Sequence, residues 1–257
     1  MLEQQKWPDH IYIVRHGESA GNVARNLAHS QNKPFIEIDA ARDMDVPLSD
    51  LGQLQAQAVG QWFGALPPEQ QPTTVPSSSY LRAKETAQNL TRTAGGTLAK
   101  LQIATDERLR EREFGILDRL TTMGIEQQYP DQAVMRRSLG KFYYRPPGGE
   151  SWCDVILRLF SVIDTITREY RGERVLMVCH TVVVLCFRYL LERLDEEQIL
   201  AIDRQQDVAN CSVTSYCFDQ ALGNNGKLKL NLFNFVAPLE EAGQPVTREP
   251  DAPVAPK

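Results

Sequence analysis

Short apolar runs alternate with longer segments of helical periodicity along most of this sequence, and this alternation restricts the fold more than any other feature. The runs Ile11–Val14 and Val175–Cys179 are apolar throughout, as buried strands are. Before the second run, Trp152 to Tyr170 carries an apolar stripe at helical spacing, and Gly172 supplies a stop. Such alternation predicts an α/β fold, a three-layer sandwich whose mostly parallel central sheet has helices on both faces.

Shorter segments complete this prediction. The other expected helices are 51–62, 80–93 and 181–194, and the other expected strands are 73–75, 101–103 and 211–218. A serine cluster precedes the helix at 80–93 and is expected to cap it. Asn225-Gly226 is a turn signal, and leucines alternate with polar residues after it, which predicts a hairpin at one edge of the sheet. A homodimer could form through that edge.

The 257 residues are expected to form one domain over residues 1–236. Within it, residues 110–149 are polar and end in Pro146-Pro147-Gly148-Gly149, so we expect a lid-like excursion over the site. Residues 237–257 are rich in proline and are interpreted as a flexible tail or as an arm laid on a surface.

Composition and charge limit the kinds of molecule that the protein is expected to bind. The net charge of −5 argues against nucleic acid as the favoured partner, although an acidic protein can still bind an anion in a local basic pocket. No apolar run is long enough to span a bilayer, so we expect no membrane association and a cytoplasmic protein. The five scattered cysteines match neither a disulfide framework nor a zinc site, and we expect free thiols.

Two histidines fall at equivalent positions of the predicted sheet. His16 comes directly after the strand that begins at Ile11, and His180 comes directly after the strand that begins at Val175. Because ligands bind at the carboxyl ends of the strands in open α/β sheets, neighbouring strands would bring both imidazoles into one crevice. Either histidine alone is more simply read as a polar residue at a strand end; the pair favours a functional site.

Cationic residues accompany these histidines. Arg15 places a permanent positive charge beside His16, which can act as a nucleophile at neutral pH. Gly17 would allow backbone N–H groups to approach an anion. Arg82 falls in the first turn of a predicted helix, a position that favours anions. The combination predicts a pocket for a small anion.

These residues belong to an ordered set that resembles the histidine phosphatase superfamily, in its phosphoglycerate-mutase-like branch with the R-H-G motif. The matching residues are Arg15-His16-Gly17-Glu18-Ser19 with Asn22; Pro47-Leu48-Ser49-Asp50-Leu51-Gly52 with Gln55-Ala56; Ser77 with Arg82-Ala83 and Thr86-Ala87; Leu109-Arg110-Glu111 with Phe114-Gly115; Gly149-Glu150-Ser151; and Val178-Cys179-His180. They run in family order from residue 11 to about residue 215. Where the family usually has Ser and Gly around the second histidine, this chain has Cys179 and Thr181, which predicts a more crowded pocket.

The resemblance implies a metal-independent phosphatase that acts on a small phosphorylated substrate through a phosphohistidine on His16. Arg15, Arg82 and Asn22 would bind the phosphoryl group, as would His180, which adds a charged donor if it is protonated, and Gly17 lies in the same loop as Arg15. The position of Glu111 matches the acid/base residue of the family, and Glu113 is its local rival; a carboxyl group among phosphate oxygens should have a raised pKa. No cofactor and no metal are expected, since arginine fills the cationic role.

Other functions remain open at this stage. A mutase would use the same residues and return the phosphoryl group to a substrate hydroxyl, and a regulatory module would bind phosphate with little turnover. No cysteine has an arginine six residues later and no G-x-x-x-x-G-K-[ST] occurs, which argues against cysteine phosphatases and P-loop enzymes. The segment Asp43-Met44-Asp45-Val46 superficially fits the D-x-D pattern of aspartyl nucleophiles, but no apolar strand precedes it.

Overall fold

A single mixed sheet forms the centre of the protein, whose computed structural model describes residues 5–248. Its six strands lie in the order β3-β2-β4-β1-β5-β6. The strands are β1 (His10–Arg15), β2 (Val75–Ser77), β3 (Ile103–Thr105), β4 (Arg174–Cys179), β5 (Val213–Asp219) and β6 (Lys227–Phe235). β3, β2, β4 and β1 are mutually parallel, whereas β5 runs antiparallel to both β1 and β6. The mostly parallel sheet with a hairpin at its edge is confirmed.

Nine helices surround this sheet within the described range. They are α1 (Ala20–Ser30), α2 (Asp50–Ala65), α3 (Leu81–Ala94), α4 (Thr122–Gln128), α5 (Pro130–Tyr143), α6 (Trp152–Glu169), α7 (Thr181–Glu192), α8 (Glu196–Gln205) and α9 (Ala237–Glu241). The predicted polar excursion at 110–149 therefore contains two helices, α4 and α5, and α5 is kinked where Gly140 adopts a positive φ of 77°.

The two faces of the sheet carry separate cores, because successive residues of a strand point to opposite sides. Ile11 and Met177 pack with α6 and α7 on one side. Tyr12 and Leu176 pack with α2 and α3 on the other. The protein is thus a three-layer α/β sandwich, as the alternation in the sequence predicts.

The central pair of strands fixes the geometry of the crevice. β1 and β4 pair in parallel with Arg15 opposite Cys179, and the N–H of His16 donates to the carbonyl of Cys179 at 2.9 Å. Residue 16 and residue 180 therefore leave the sheet side by side at its carboxyl edge.

Two short strands lie further along the chain than the sequence suggests. β2 begins at Val75 and β3 begins at Ile103, each two residues after the predicted start. Thr74 forms only an isolated bridge to Val175, whereas Val75 and Ser77 pair with β3. Pairing with neighbouring strands, which a local pattern does not contain, sets these limits.

The prediction of a flexible tail from residue 237 is wrong for residues 237–248. Leu239 on α9 is fully buried against the core beneath α2. The side-chain amide of Gln55 donates to the carbonyl of Pro245 at 2.9 Å, and the N–H of Asn210 donates to the carbonyl of Thr247 at 3.0 Å. Apolar burial and these hydrogen bonds dock the segment, in agreement with the alternative of an arm on a surface. The remainder of the predicted tail, residues 249–257, lies outside the described residues.

All five cysteines carry free thiols, as expected. In the part of the chain from residue 5 to residue 248, no helix combines the length and the apolar character that a bilayer span requires.

Candidate active site

The two histidines that end β1 and β4 face each other at the carboxyl edge of the sheet. Their ring centroids lie 5.0 Å apart, with the ring planes tilted by 60°. His16 is 3% exposed and His180 is 0% exposed. The sequence-based expectation that both imidazoles share one crevice agrees with this geometry.

Hydrogen bonding and burial keep His16 neutral. Its Nδ1 lies 2.7 Å from the carbonyl oxygen of Gly17, so Nδ1 carries the hydrogen and the Nε2 lone pair is left available. Burial lowers the pKa of His16 well below its usual 6.5, and the charges of Arg82 and Arg15 lower it further. The ring therefore has the form that a nucleophile needs near pH 7.

His180 has different partners. Its Nε2 lies 2.8 Å from the hydroxyl of Ser78, and its Nδ1 lies 3.6 Å from the carboxylate of Glu111. Burial, followed by the charges of Arg82 and His16, lowers the pKa of His180 well below 6.5. Protonation of His180, which would make it a charged donor to phosphate, is thus disfavoured in the ligand-free protein, because the ring is buried and Arg82 is close.

Both predicted arginines are buried at the site. Arg15 is 3% exposed, and its Nη1 donates to the carbonyl of Val208. Arg82 is 5% exposed and lies in the first turn of α3, as predicted. Its guanidinium makes a two-pronged ion pair with Asp43, which the sequence analysis did not anticipate.

The loop between β1 and α1 is organised by Asn22. The amide oxygen of Asn22 accepts from the N–H and the hydroxyl of Ser19, both at 2.9 Å, while the hydroxyl of Ser19 caps α1. Asn22 also lines the cavity. Its position agrees with the expectation of a phosphate-binding side chain.

Gly17 does not line the cavity, and the phosphate-binding role predicted for this residue stays a prediction. The Gly17 N–H donates to the hydroxyl of Thr86 at 3.0 Å. A glycine is needed here for packing, because a Cβ at position 17 would lie 2.5 Å from the carbonyl oxygen of Gly52.

The two candidate acids are clearly separated by the structure. Glu111 lines the cavity and its side chain is 16% exposed. Glu113 is 45% exposed in its side chain and accepts from the hydroxyl of Tyr80 at 2.5 Å. Arg158 donates to the backbone carbonyl of Glu111 at 3.3 Å and is itself paired with Glu150, so a buried ion pair supports the backbone next to the acid.

The cavity is small, about 60 Å³, and its wall combines predicted and unpredicted residues. Phe114, Asp118 and Arg119 reach it from the 110–149 segment. Of the two residues that were expected to crowd the pocket, Thr181 lines the cavity, whereas Cys179 packs in the core on one face of the sheet. The full lining is Arg15, His16, Ser19, Gly21, Asn22, Arg25, Ile36, Ile38, Asp43, Arg82, Glu111, Phe114, Asp118, Arg119 and Thr181.

Several of these residues were missed for a common reason. Ser78 belongs to the serine cluster that was expected to cap α3, but its hydroxyl contacts His180 instead. The N-cap residue of α3 is Tyr80, whose side chain makes no capping hydrogen bond. Arg25 and Arg119 carry no local signal that separates them from surface charges, and the D-x-D match at Asp43 points to a nucleophile and not to its pairing with Arg82. Only their long-range contacts identify them.

Three side chains at the site could present ligand atoms to one metal ion. Nitrogens of His16 and His180 and a carboxylate oxygen of Glu111 lie within 4.8 Å of one another. No local spacing in the sequence indicates this cluster, because the three residues come from distant parts of the chain. The positive charges of Arg15 and Arg82 disfavour the binding of a further cation here, for the same reason that they lower the pKa of both histidines.

Comparisons with known proteins agree with this geometry. The family model "Histidine phosphatase superfamily (branch 1)" matches residues 11–228. The chain is 30% identical over 233 residues to phosphoglycerate mutase-like protein 4 of Arabidopsis thaliana, covering 91% of this chain and 88% of that protein. It is 34% identical over 182 residues to 6-phosphofructo-2-kinase/fructose-2,6-bisphosphatase of Caenorhabditis elegans, covering 70% of this chain but 33% of that longer protein.

Solved structures show the same fold. YhfR of Bacillus stearothermophilus superposes with a TM-score of 0.69 at 26% identity, covering 90% of this chain and 98% of that one. A mycobacterial glucosyl-3-phosphoglycerate phosphatase in complex with VO3 superposes with a TM-score of 0.64 at 24% identity, covering 89% and 100%.

Proposed function

This chain belongs to branch 1 of the histidine phosphatase superfamily, and from that membership we propose that it is a metal-independent phosphatase acting on a phosphomonoester through phospho-His16. The observation that carries the proposal is the state of His16. A buried imidazole, neutral and with its Nε2 lone pair available, lies among two buried guanidinium groups and beside a second imidazole. Attack on a bound phosphoryl group requires this combination.

In the first step, Arg15, Arg82 and Asn22 bind the phosphoryl oxygens, and Nε2 of His16 attacks phosphorus in line with the leaving oxygen. The new N–P bond forms as the ester O–P bond breaks. The leaving oxygen takes a proton from the carboxyl group of Glu111, so an alcohol departs and Glu111 becomes a carboxylate. The position of Glu111 on the cavity wall supports this role over Glu113.

In the second step, water attacks the phosphorus of phospho-His16 and gives its proton to the Glu111 carboxylate. The N–P bond breaks, and inorganic phosphate and neutral His16 result. His180 lies next to both groups and contributes a hydrogen bond to the phosphoryl oxygens. A bound dianion would favour protonation of His180 and so oppose the low pKa of the ligand-free protein.

Release of phosphate from a generic aryl phosphate tests the nucleophile. We expect His16→Ala to lose several orders of magnitude in kcat, because no other group can form the covalent intermediate. His29→Ala is the matched control, since His29 lies in the last turn of α1 and does not line the cavity. Equal release by the wild type and His16→Ala would contradict the proposal, and so would the absence of turnover in the wild type, which a regulatory module predicts.

A mutase is the second candidate, because a relative covering most of the chain is named as phosphoglycerate mutase-like and the cavity is small, about 60 Å³. Incubation with 3-phosphoglycerate and a bisphosphate primer separates the two functions. Isomer exchange faster than phosphate release would replace the phosphatase by a mutase. We propose a small phosphorylated substrate in either case, and a cytoplasmic location that suits five free thiols.

A further inference from the structure

In the ligand-free structure, the carboxylate of Asp43 is paired with the guanidinium group of Arg82, which the proposed reaction needs for binding the phosphoryl group. Nη1 and Nη2 of Arg82 donate to the two carboxylate oxygens of Asp43 at 3.2 and 2.9 Å. Nη1 also donates to the backbone carbonyl of Asp43 at 2.8 Å. A carboxylate that bridges both terminal nitrogens takes the two-pronged position that a phosphoryl group would take on the same arginine.

This carboxylate lies on the cavity side of Arg82. Asp43 lines the cavity with 36% of its side chain exposed, whereas the side chain of Arg82 is 6% exposed. Asp118 and Glu111 line the same cavity, as do the cationic Arg15, Arg25, Arg82 and Arg119. A phosphoryl dianion bound to Arg82 would therefore meet the negative charge of Asp43 at close range, and the two like charges would repel each other.

The contact between Asp43 and Arg82 depends on the backbone position of Asp43 and not only on its rotamer. Asp43 begins a 3₁₀ turn that ends at Asp45, and the next residue, Val46, is fully buried. The loop before the turn is tied to the 110–149 segment: the N–H of Ile36 donates to the carbonyl of Arg119 at 2.8 Å, and the guanidinium of Arg119 donates to the carbonyl of Ala40 at 2.7 Å. Asp43 is thus held between a buried anchor and the wall of the cavity.

We propose that Asp43 tunes the affinity of the site for anions by competing with tetrahedral oxyanions for Arg82. The proposal rests on the proposed function, in which Arg82 binds the phosphoryl group. Asp43 lowers the affinity for phosphate and phosphomonoesters alike, and its return to Arg82 after hydrolysis speeds the departure of inorganic phosphate. Because substrate and transition state lose the same contact, Asp43 acts on KM and on product inhibition and leaves kcat unchanged.

Asp43→Asn tests this role, with an aryl phosphate as substrate and inorganic phosphate and orthovanadate as competitive inhibitors. We expect KM and both inhibition constants to fall about five- to tenfold, the effect of a partly exposed charged pair. Asp45→Asn is the matched control: Asp45 lies on the same 3₁₀ turn but pairs with exposed Arg42 at 2.7 Å, so removal of its charge should leave these constants near those of the wild type. Asp43→Glu keeps a carboxylate and should retain weak binding.

A rise or no change in the inhibition constants of Asp43→Asn would overturn the proposal, and a fall in kcat would show that Asp43 instead positions Arg82. The effect of Asp43→Asn must also disappear in an Arg82→Ala background. If Asp43→Asn does not fold, Asp43→Ser carries the same expectation. Failure of the proposed function is distinguishable, because then the wild type itself shows neither turnover that depends on His16 nor competition by phosphate.

Discussion

Two buried imidazoles of one protein acquire different chemical character from their immediate partners. His16 contacts a backbone carbonyl through Nδ1, which leaves Nε2 as a lone pair. His180 lies between the Ser78 hydroxyl and the Glu111 carboxylate. Burial is the largest cause of the low pKa in both, so the neighbours and not the degree of burial separate their roles. The first suits a nucleophile and the second suits a group that donates a hydrogen bond to the phosphoryl oxygens.

The assignment of the acid leads to a prediction about leaving groups. Glu111→Gln should lower kcat/KM for alkyl phosphates, whose alkoxides leave poorly, by about 10²- to 10⁴-fold, and should have little effect on kcat/KM for nitrophenyl phosphates, whose leaving groups need no proton. The measurement is kcat/KM across a series of phosphomonoesters of increasing leaving-group pKa, because kcat/KM reports the step in which the leaving group departs and not the later hydrolysis of phospho-His16. Glu113→Gln is the control, because Glu113 is half exposed and bonded to Tyr80. A uniform loss in Glu111→Gln would move the acid role elsewhere, and a leaving-group dependence in Glu113→Gln would move it there.

Among the elements, α2 supports the loop that carries His16. Ser49 caps α2, and its hydroxyl donates to the carboxylate of Glu18 at 2.7 Å. Gln55 on the same helix accepts from the N–H of Glu18 at 2.9 Å. Gly52 makes this close approach feasible, because a Cβ there would lie 1.9 Å from the carbonyl oxygen of Glu18.

Gly52→Ala should therefore disturb both stability and the site. We expect the free energy of unfolding to fall by about 1–3 kcal/mol, the usual cost of overpacking, and kcat/KM of the folded fraction to fall as well. Denaturant titration and aryl phosphate kinetics measure the two effects. Gly60→Ala on the same helix is the control, since its Cβ would meet the carbonyl of Leu90 at 2.5 Å, away from the cavity lining. It should destabilise without changing kcat/KM, and an equal kinetic loss in both variants would argue against a special role for Gly52.

At the scale of the whole molecule, the titration of its histidines ties stability to pH. The pKa of each of the four histidines is lowered from 6.5, with burial as the largest cause in every case. Below pH 6.5 the unfolded chain therefore binds protons that the folded protein does not, so stability falls as pH falls. The slope approaches about 1.4 kcal/mol per pH unit for each histidine that stays neutral when folded.

Urea unfolding at pH 7.5 and pH 5.5 checks this expectation, and the free energy of unfolding should be lower at pH 5.5. His180→Gln should reduce the difference, because it removes one fully buried group that resists protonation. His29→Gln is the control with a smaller effect, since His29 is largely exposed. Equal stability of the wild type at both pH values would contradict the low pKa of the buried pair.

The layers, the mostly parallel sheet and the placement of His16, His180 and Arg82 could all be predicted from the sequence. Each follows from a local pattern: an apolar run that ends in a histidine, or an arginine at the start of a helical stripe. Local periodicity dictates which side of an element is buried and where the element ends, so these features are readable from neighbours in the chain.

The rest of the site depends on contacts between residues that are far apart in the chain. Asp43 meets Arg82 across 39 residues, Gly17 meets Thr86 across 69, and Ser78 meets His180 across 102. Contacts of this kind form because the packing of helices on the sheet brings polar groups from distant parts of the chain together at one edge. Each buried donor needs an acceptor there. A serine that could cap a helix and an aspartate that could face water instead bond to buried partners, because burial makes an unpaired polar group costly and no local pattern records which partner is near.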